Sequence, residues 1–432
     1  MSRRNWASKL TGGAMLCATL VLTTSGTAEA ARLVAQTARS PHVACIRGCT
    51  PPNGTFAGVS CTPANIRAND CTAVGQYVSN RYGYPLALVE RGDGNTWSVQ
   101  SLPNPRGHDS DSLSAVSCPS AKYCVAVGYS FSSIGPGGGS PQTLAERWNG
   151  SSWKAMRTVN PAGRNKQNYL YGVSCTSSRA CTAVGSYVNR HGADAPLAER
   201  WNGHSWKVQA TTDPAPRLGS SLVSVSCART TACTAVGTYY TNNQGGDRTL
   251  AEHWGGVRWR VQSTPRVTGA TYVYLNGVSC SSSNACTAVG DSQVHKTLVV
   301  SSLAERWNGH HWTIQNSYNP PVSSDSYLEG VSCSAGDSCT AVGDSQSTAG
   351  PQIPLAEGWT PGSGWTNQPT TDPGATPIPG GGDADLYGVS CTDPSACNAV
   401  GYYPGGSSSV TLAEGWFGGV WNTQPTVPGI TD

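Results

Sequence analysis

Charge is scarce in this 432-residue sequence, because Asp, Glu, Lys and Arg together make up 12% of it, against roughly 25% in an average soluble domain. The formal net charge is +3 without a clustered Lys/Arg excess, which argues against a nucleic-acid partner. After residue 30 no apolar run is long enough to span a bilayer. Gly-Lys phosphate loops, Gly-x-Ser-x-Gly elbows and His-Glu-x-x-His motifs are also missing, so no motif names a reaction.

The first 30 residues have the pattern of an export signal. Residues 2–9 carry two arginines and a lysine, residues 14–22 are mildly apolar, and Ala28-Glu29-Ala30 has the form of a signal-peptidase site. We predict cleavage after Ala30 and a secreted or extracytoplasmic protein. The paired arginines resemble a twin-arginine signal, and ordinary secretory export stays open. Cleavage changes 28 basic and 25 acidic residues to 25 and 24, so the mature chain is nearly neutral.

Cysteine, by contrast, is abundant and regularly spaced. Of 17 cysteines, Cys17 leaves with the signal, and the even number that remains in an oxidising compartment predicts a disulfide framework. Zinc is the competing interpretation, but no His recurs at ligand spacing. Fourteen cysteines form seven short-spaced pairs, while Cys45 and Cys49 stand apart. The seven predicted pairs are Cys61 and Cys71, Cys118 and Cys124, Cys175 and Cys181, Cys227 and Cys233, Cys280 and Cys286, Cys333 and Cys339, and Cys391 and Cys397.

The cysteine pairs mark seven copies of one unit, repeated at steps of 52 to 58 residues. Each unit reads Gly-Val-Ser-Cys, a turn, Cys-Thr-Ala-Val-Gly, a variable stretch, Leu-Ala-Glu-Arg-Trp-Asn-Gly and Trp-x-Val-Gln, with four short apolar runs typical of strands. Four strands repeated seven times predict an all-β, seven-bladed β-propeller with four antiparallel strands per blade. The predicted organisation is a signal peptide (1–30), an N-terminal extension (31–57), the propeller (58–424) and a C-terminal tail (425–432).

Two features flank the variable stretch of each unit. Ala-Val-Gly precedes it, and an aromatic-turn-Trp hairpin follows it, as in Trp201-Asn-Gly-His-Ser-Trp206. This pattern resembles the kelch repeat over residues 58–424, although one Gly stands where kelch has two and the paired cysteines are additional. Secreted kelch-type propellers include copper radical oxidases, which need tyrosines, histidines and a free cysteine. Because the cysteines here are paired and the histidines show no metal spacing, we predict no cofactor.

Calcium is the one ion whose binding the sequence does not argue against. Asp109 with Asp111, and Asp383 with Asp385, are Asp-x-Asp pairs in predicted loops. Neither pair has the full set of ligands found in an EF-hand loop.

Trp, Glu and Gln each recur at fixed places in the units. A Trp present in nearly every unit is better explained by packing between blades than by sugar stacking. Seven copies of one Glu cannot form a single active site, so we predict structural hydrogen bonds or ion pairs with Arg147, Arg200 and Arg306, and we interpret the Gln column similarly. The columns are Trp97, Trp153, Trp206, Trp259, Trp312, Trp365 and Trp421 in strand four, Trp148, Trp201, Trp254, Trp307, Trp359 and Trp416 ending strand three, Glu90, Glu146, Glu199, Glu252, Glu305, Glu357 and Glu414, and Gln100, Gln209, Gln262, Gln315, Gln368 and Gln424.

Strands of alternating direction predict two different faces. Turns after strands one and three share a uniform face, and connections after strands two and four share a face of long, dissimilar loops, where binding usually resides. Three groups of residues fall on the second face: a cation beside two aromatic rings, an Arg-His pair, and two aspartates that follow the Gly of strand two. These predicted binding residues are Arg81, Tyr82, Tyr84, Arg190, His191, Asp291 and Asp344.

The sequence supports two hypotheses about function. The first is a secreted, noncatalytic and monomeric propeller that binds a protein, peptide or extracellular glycan through its variable loops, with no nucleic acid and no membrane span. The alternative is a carbohydrate-active hydrolase or lyase that uses loop carboxylates at the channel mouth. No residue is assigned as catalytic, because the units contain no unique catalytic constellation.

Overall fold

A computed structural model describes residues 53–63, 69–79, 82–92, 96–103, 110–131, 139–242, 246–294, 298–320, 323–334, 336–347, 350–371, 383–405 and 408–426. These residues form 28 β-strands. Helices are absent from the described ranges, so none there is long and apolar enough to cross a membrane. The predicted signal peptide, residues 31–52, Cys45, Cys49, Arg81 and Asp109 lie outside the described residues.

The strands form seven consecutive groups of four, and each group is one blade. Blades 1 to 4 contain β1 (Gly54–Pro63), β2 (Asn69–Val78), β3 (Pro85–Gly92) and β4 (Trp97–Val99); β5 (Ser110–Ser120), β6 (Tyr123–Phe131), β7 (Gln142–Trp148) and β8 (Trp153–Met156); β9 (Asn168–Ser177), β10 (Ala180–Val188), β11 (Asp194–Trp201) and β12 (Trp206–Gln209); and β13 (Ser220–Arg229), β14 (Ala232–Tyr240), β15 (Asp247–Trp254) and β16 (Trp259–Gln262). Blades 5 to 7 contain β17 (Ala270–Ser282), β18 (Ala285–Val294), β19 (Val300–Trp307) and β20 (Trp312–Gln315); β21 (Ser323–Cys333), β22 (Cys339–Ser347), β23 (Gln352–Thr360) and β24 (Gly364–Asn367); and β25 (Asp385–Asp393), β26 (Ala396–Pro404), β27 (Ser409–Phe417) and β28 (Val420–Gln424).

Each blade is an antiparallel sheet in which the strands pair in chain order. The first strand of every blade contacts the first strand of the next, and β1 contacts β25 to close the circle. The first strands therefore form an inner ring, and the fourth strands lie outermost. The predicted seven-bladed, all-β propeller is confirmed.

One hydrogen bond repeats at every blade junction of the inner ring. The Ser that precedes the first Cys of a blade accepts a hydrogen bond through its Oγ from the backbone N–H of the first Cys of the next blade, at 2.9 to 3.0 Å. The junction between blades 7 and 1 uses the same bond, from Cys61 N to Ser390 Oγ. These partly buried N–H groups have their hydrogen-bond partners in the neighbouring blade rather than in their own, which explains why Ser recurs in Gly-Val-Ser-Cys. The seven serines are Ser60, Ser117, Ser174, Ser226, Ser279, Ser332 and Ser390.

All seven predicted cysteine pairs of the propeller are disulfides. In each blade the bond joins strands one and two beside their turn, with Cα atoms 3.9 to 4.0 Å apart. The second cysteine of each pair is 0 to 3% exposed, so the bond is enclosed between neighbouring sheets. The prediction of a disulfide framework is confirmed for these fourteen residues.

Every first strand contains a β-bulge five to three residues before its first Cys. In blade 3 the register passes from Val184 opposite Gly172 to Gly185 opposite Leu170, which leaves Tyr171 as the inserted residue. The bulge brings the backbone of the first strand over the Gly of the second, since a Cβ on Gly185 would lie 1.9 Å from the carbonyl oxygen of Tyr169. The single Gly of each Ala-Val-Gly is therefore required by close backbone approach.

Tryptophan packs between blades, as predicted. The seven strand-four Trp residues are 3 to 8% exposed, and each blade junction has its own apolar cluster of Val, Leu, Ala and Trp. Three of these indoles donate to the Gln of the preceding blade, so the Gln column is also structural. The bonds run from Trp97 Nε1 to Gln424 Oε1 (2.9 Å), from Trp259 Nε1 to Gln209 Oε1 (3.0 Å) and from Trp312 Nε1 to Gln262 Oε1 (3.1 Å).

Replacing Trp206 by Ala is expected to lower the free energy of unfolding by about 3 to 5 kcal/mol, because a large buried side chain leaves a cavity. Trp206 is 3% exposed and packs with Trp201 at a centroid distance of 5.8 Å. Val208→Ala in the same strand is the matched control, since Val208 is 43% exposed. Chemical denaturation of both variants measures the difference, and equal midpoints would refute the packing assignment.

Candidate functional site

The glutamate column is part of the scaffold. All seven side chains are 0 to 1% exposed. Three of them accept a hydrogen bond from the backbone of the preceding blade, six residues after its strand-four Trp. The bonds run from Val159 N to Glu199 Oε2 (3.1 Å), from Thr212 N to Glu252 Oε2 (3.2 Å) and from Tyr318 N to Glu357 Oε2 (2.8 Å).

Two blade junctions lack this donor because Pro stands at its position and has no N–H. Pro103 in blade 1 and Pro265 in blade 4 occupy the equivalent sites. In the described part of the chain, neither carboxyl oxygen of Glu305 has a hydrogen-bond partner, nor does Oε2 of Glu146. Burial raises the pKa of both glutamates to about 8, so both carboxyls are protonated at neutral pH.

The predicted ion pairs between this column and Arg147, Arg200 and Arg306 are wrong. Arg306 instead pairs with Asp337 of the next blade and lies 3.5 Å from the centroid of the Trp359 ring. Arg200 donates to the carbonyl oxygen of Thr230 (2.6 Å) and lies over a Trp of the next blade. Successive strand residues point to opposite faces, so an Arg that directly follows a column Glu is directed away from it.

The two ends of the propeller differ as predicted. We call the end with the turns after strands one and three the turn face, and the opposite end the loop face. On the turn face, Gly150, Gly203 and Gly309 close strand-three to strand-four hairpins at φ values of 97°, 94° and 94°. The connections after strands two and four differ in length and sequence from blade to blade, so dissimilar side chains meet on the loop face.

The residue inserted at each bulge is the main variation within the inner ring. We call these seven the bulge residues. All of them are partly exposed, although the Leu or Phe just before each one is fully buried. They include small, aliphatic, amide, acidic and aromatic side chains: Ala57, Ser114, Tyr171, Val223, Asn276, Glu329 and Tyr387.

Around the bulge residue of blade 7 lies a group of hydroxyl, amide and carboxylate side chains. Tyr387 donates to Asp385 Oδ2 at 3.1 Å, and its ring stacks on Tyr402 with centroids 5.9 Å apart. In blade 6, Gln352 Nε2 donates to Asp344 Oδ2 at 2.7 Å, and Gln352 N donates to Asp383 Oδ1 at 3.1 Å. We call these six residues the tyrosine–carboxylate cluster: Asp344, Gln352, Asp383, Asp385, Tyr387 and Tyr402.

The tyrosines of this region are neutral donors. Burial, followed by the charge of Asp385, raises the pKa of Tyr387 and of Tyr402 well above the ordinary 10.0. In blade 5, burial and the hydrogen bond to Asp247 also raise the pKa of Tyr274. These hydroxyls therefore stay protonated at any physiological pH and are suited to hydrogen bonding rather than to nucleophilic attack as phenolates.

Asp291 and Asp344 lie beside the inner ring but are only 8% and 4% exposed. Asp291 Oδ1 accepts from the amide of Asn276 at 3.1 Å, and Asn276 also donates to the carbonyl oxygen of Leu328 in the next blade, at 3.1 Å. The two carboxylates thus orient partly exposed amides, namely those of Asn276 and Gln352. Their role as ligand-facing groups stays a prediction.

Arg190 and His191 line a pocket of about 330 Å³ on the loop face of blade 3. Both side chains are exposed, and Arg190 Nε donates to His191 Nε2 at 3.2 Å. The remaining lining residues come from β10, the connection after it, β11 and the connection to blade 4: Tyr187, Asn189, Ala195, Asp213 and Pro216.

The third predicted group is described only in part. Tyr82 is 51% exposed and stacks on Tyr84 with ring centroids 5.4 Å apart. The backbone N–H of Tyr82 donates to Ser79 Oγ at 3.1 Å. Arg81 lies outside the described residues, so the predicted cation beside these two rings stays a prediction.

Of the two Asp-x-Asp pairs, Asp109 lies outside the described residues, so calcium binding at either pair stays a prediction. Asp111 is 4% exposed, and burial raises its pKa to about 6. Asp383 and Asp385 contact Gln352 and Tyr387, respectively. No group of three or more His, Cys, Asp or Glu side chains is placed to hold a metal ion in the part of the chain that is described.

Sequence reasoning did not single out the bulge residues, Gln352 or the Tyr387–Tyr402 pair. The signal was present, because the residue four places before each first Cys changes type while its neighbours repeat. A Gly inside the following strand was a second sign of a bulge.

No protein-family model matches the sequence, and no curated protein matches it significantly. Many solved structures are similar to this chain, among them the following three. The β-propeller domain of the trilobed protease from Pyrococcus furiosus, described as having an open velcro topology, is 7% identical with a TM-score of 0.47, over 85% of this chain and 96% of that one. AofleA from Arthrobotrys oligospora is 11% identical with a TM-score of 0.40 (74% and 90% covered). The sialidase of Trypanosoma rangeli, in complex with the inhibitor DANA, is 10% identical with a TM-score of 0.39 (68% and 53% covered). At these values the similarities carry no argument about a ligand of this chain.

Proposed function

We propose that this chain is a secreted, noncatalytic recognition propeller, built from a kelch-like repeat, that binds an extracellular protein, peptide or glycan through its loop face. Seven disulfides fit an oxidising compartment, which supports the predicted export of the chain.

The observation that carries this proposal is the contrast between the residues that repeat in every blade and the bulge residues of the inner ring. Ser, Cys, Gly and Trp recur because each makes the same contact in blade after blade, whereas the bulge residues differ in size and polarity and are all partly exposed. At each bulge the backbone is the same in every blade, whereas the side chain differs. The symmetric ring therefore presents an asymmetric surface. Such surfaces suit recognition of one asymmetric ligand.

The chemistry of the tyrosine–carboxylate cluster supports binding over catalysis. Asp344, Asp383 and Asp385 already accept hydrogen bonds from Gln352 and Tyr387. The amide of Gln352 keeps one N–H as a donor, and the Tyr387 hydroxyl, which gives its proton to Asp385, provides acceptors together with the carboxylates. This combination recognises hydroxyl and amide groups of a ligand without any change in protonation.

The test is a binding screen of residues 31–432 against glycans, peptides and cell-wall preparations, with and without calcium, in which released sugars are assayed in the same wells. We expect saturable binding without product. Glu329→Gln and Tyr387→Phe should weaken it by about tenfold, the effect of losing one charged or well-placed hydrogen bond. His310→Ala, an exposed change on the turn face, is the matched control and should leave binding unchanged.

Release of sugar that depends on Glu329 or Asp385 would replace this proposal with the hydrolase alternative. Equal binding by Glu329→Gln, Tyr387→Phe and the wild type, with loss in His310→Ala, would move the ligand to the turn face and overturn the proposal as well.

A further inference from the structure

The blade-3 pocket has a backbone that is fixed before any ligand arrives. Asn189 Oδ1 accepts from His191 N at 2.8 Å and from Ala193 N at 3.3 Å, which shapes the connection after β10. Asn189 Nδ2 donates to the carbonyl oxygen of Pro216 at 2.8 Å and so ties this connection to the next one. On the other side Lys166 Nζ donates to the carbonyl oxygen of Asn189 at 3.0 Å. Three loop segments are therefore locked around the pocket.

The side chains that line this pocket keep unused hydrogen-bonding capacity. Arg190 uses its Nε on His191, and its two terminal nitrogens have no partner among the described residues. Asp213 uses Oδ1 to accept from Ala215 N (3.0 Å) and Ser220 Oγ (2.6 Å), which leaves Oδ2. The hydroxyl of Tyr187 likewise has no hydrogen bond in the described ranges. Because Arg190 donates to His191 Nε2, the neutral imidazole carries its proton on Nδ1 as a further donor.

The charges of the pocket balance, with one cation from Arg190 and one carboxylate from Asp213. An anionic ligand would be attracted by Arg190 but repelled by Asp213. A cationic ligand would be attracted by Asp213 but repelled by Arg190. A ligand with several hydroxyls avoids both costs, since each hydroxyl donates and accepts. The volume of about 330 Å³ is at the small end of ligand pockets, which suits one ring rather than a long chain.

We propose that the blade-3 pocket binds one uncharged sugar unit, with Arg190 and His191 as donors, Asp213 as acceptor and Tyr187 as the aromatic wall. This inference deepens the proposed function, on which it rests, and names a neutral glycan as the ligand class at this position of the loop face.

The experiment uses saturation-transfer NMR on residues 31–432 with the methyl glycosides of glucose, galactose, mannose, xylose and N-acetylglucosamine. Galacturonic acid is the anionic probe, and glycylglycine is the zwitterionic one. At least one methyl glycoside should bind saturably, and Arg190→Gln and Asp213→Asn should each raise its Kd about tenfold or more. Asp213→Asn keeps the Oδ1 acceptor for Ala215 and Ser220, so the loop is retained. Arg217→Gln, an exposed neighbour outside the pocket lining, is the matched control.

Absence of binding by all five glycosides, or binding that both variants retain, would overturn the inference. Selective binding of galacturonic acid or glycylglycine would do the same and would assign the pocket to an acidic sugar or a peptide terminus. If the wider screen finds a ligand that Tyr387→Phe weakens but Arg190→Gln does not, the proposed function stands and only the pocket assignment fails.

Discussion

The protein is expected to lose stability as the pH rises from about 5 to about 8, because its buried glutamates must then ionise. Burial raises the pKa of Glu146, Glu199, Glu305 and Glu357 from 4.5 to about 8, and that of Glu252 to about 7. Between pH 4.5 and these values the folded chain holds protons that the unfolded chain releases. The stabilisation is therefore complete below about pH 4.5 and is lost as the pH rises through 7 to 8.

The expected effect is large. A shift of three pKa units in one group corresponds to about 4 kcal/mol, a substantial part of the 5 to 15 kcal/mol that stabilises a typical domain. Calorimetry at pH 5, 6.5, 8 and 9 at constant ionic strength should show Tm falling by roughly 10 °C or more across this range, because several glutamates ionise together. A Tm that is constant or rises with pH would contradict the assignment of neutral, buried glutamates.

Glu305→Gln isolates one member of the column. Neither of its carboxyl oxygens has a hydrogen-bond partner among the described residues, so a neutral amide of the same shape removes only the ionisation. The variant should match the wild type at pH 5 and exceed its Tm at pH 8 and above. Glu329→Gln, which changes the one Glu after residue 30 that lies outside the column, should keep the wild-type slope.

Reduction of the seven disulfides is expected to unfold the propeller. Six of them close loops with a sequence separation of 6, and Cys61–Cys71 closes one of 10. In the chain-entropy model each such loop contributes about 2 to 3 kcal/mol. Their sum exceeds the stability of a typical domain, so the reduced chain should not regain its native circular dichroism.

Because the second cysteine of each pair is buried, reduction needs denaturant, which is then removed in the presence of dithiothreitol. Alkylation and mass spectrometry confirm that the cysteines are reduced, and an oxidised sample taken through the same steps is the control. A double change of Cys175 and Cys181 to Ser tests one blade and should cost about 2 kcal/mol. Native spectra in the fully reduced sample would show that apolar packing alone holds the ring together.

The features that could be predicted from the sequence are those that recur in every unit. When the two cysteines of a pair lie opposite each other on neighbouring strands, as Cys175 and Cys181 do, they fix the register of the hairpin. Asn202-Gly203 marks the next turn, because only small or amide side chains tolerate positive φ there. Because these local signals occur seven times along the chain, they predict the seven-bladed architecture.

The features that could not be predicted depend on contacts between units. The partner of Glu199 is a backbone N–H 40 residues earlier in the chain, and the loss of such a donor at Pro265 becomes visible only when two blades are packed. Arg306 has Asp337 of the next blade as its partner, a residue in the turn between β21 and β22. For the same reason, only part of the candidate site could be predicted. Exposed loop residues such as Arg190 were recognisable in the sequence, but the pocket that Arg190 forms with Asp213 was not.

The serine-to-cysteine bond that joins blade 7 to blade 1 is the same as the bond at the other six junctions. The seven junctions are therefore equivalent in this bond. The bond does not determine which blade contains the two ends of the polypeptide. A circularly permuted chain that starts at any other blade would present the same set of junctions. Such rotational equivalence is what tandem duplication of a single ancestral unit produces, and it allows individual loops to diverge while the circle that carries them stays unchanged.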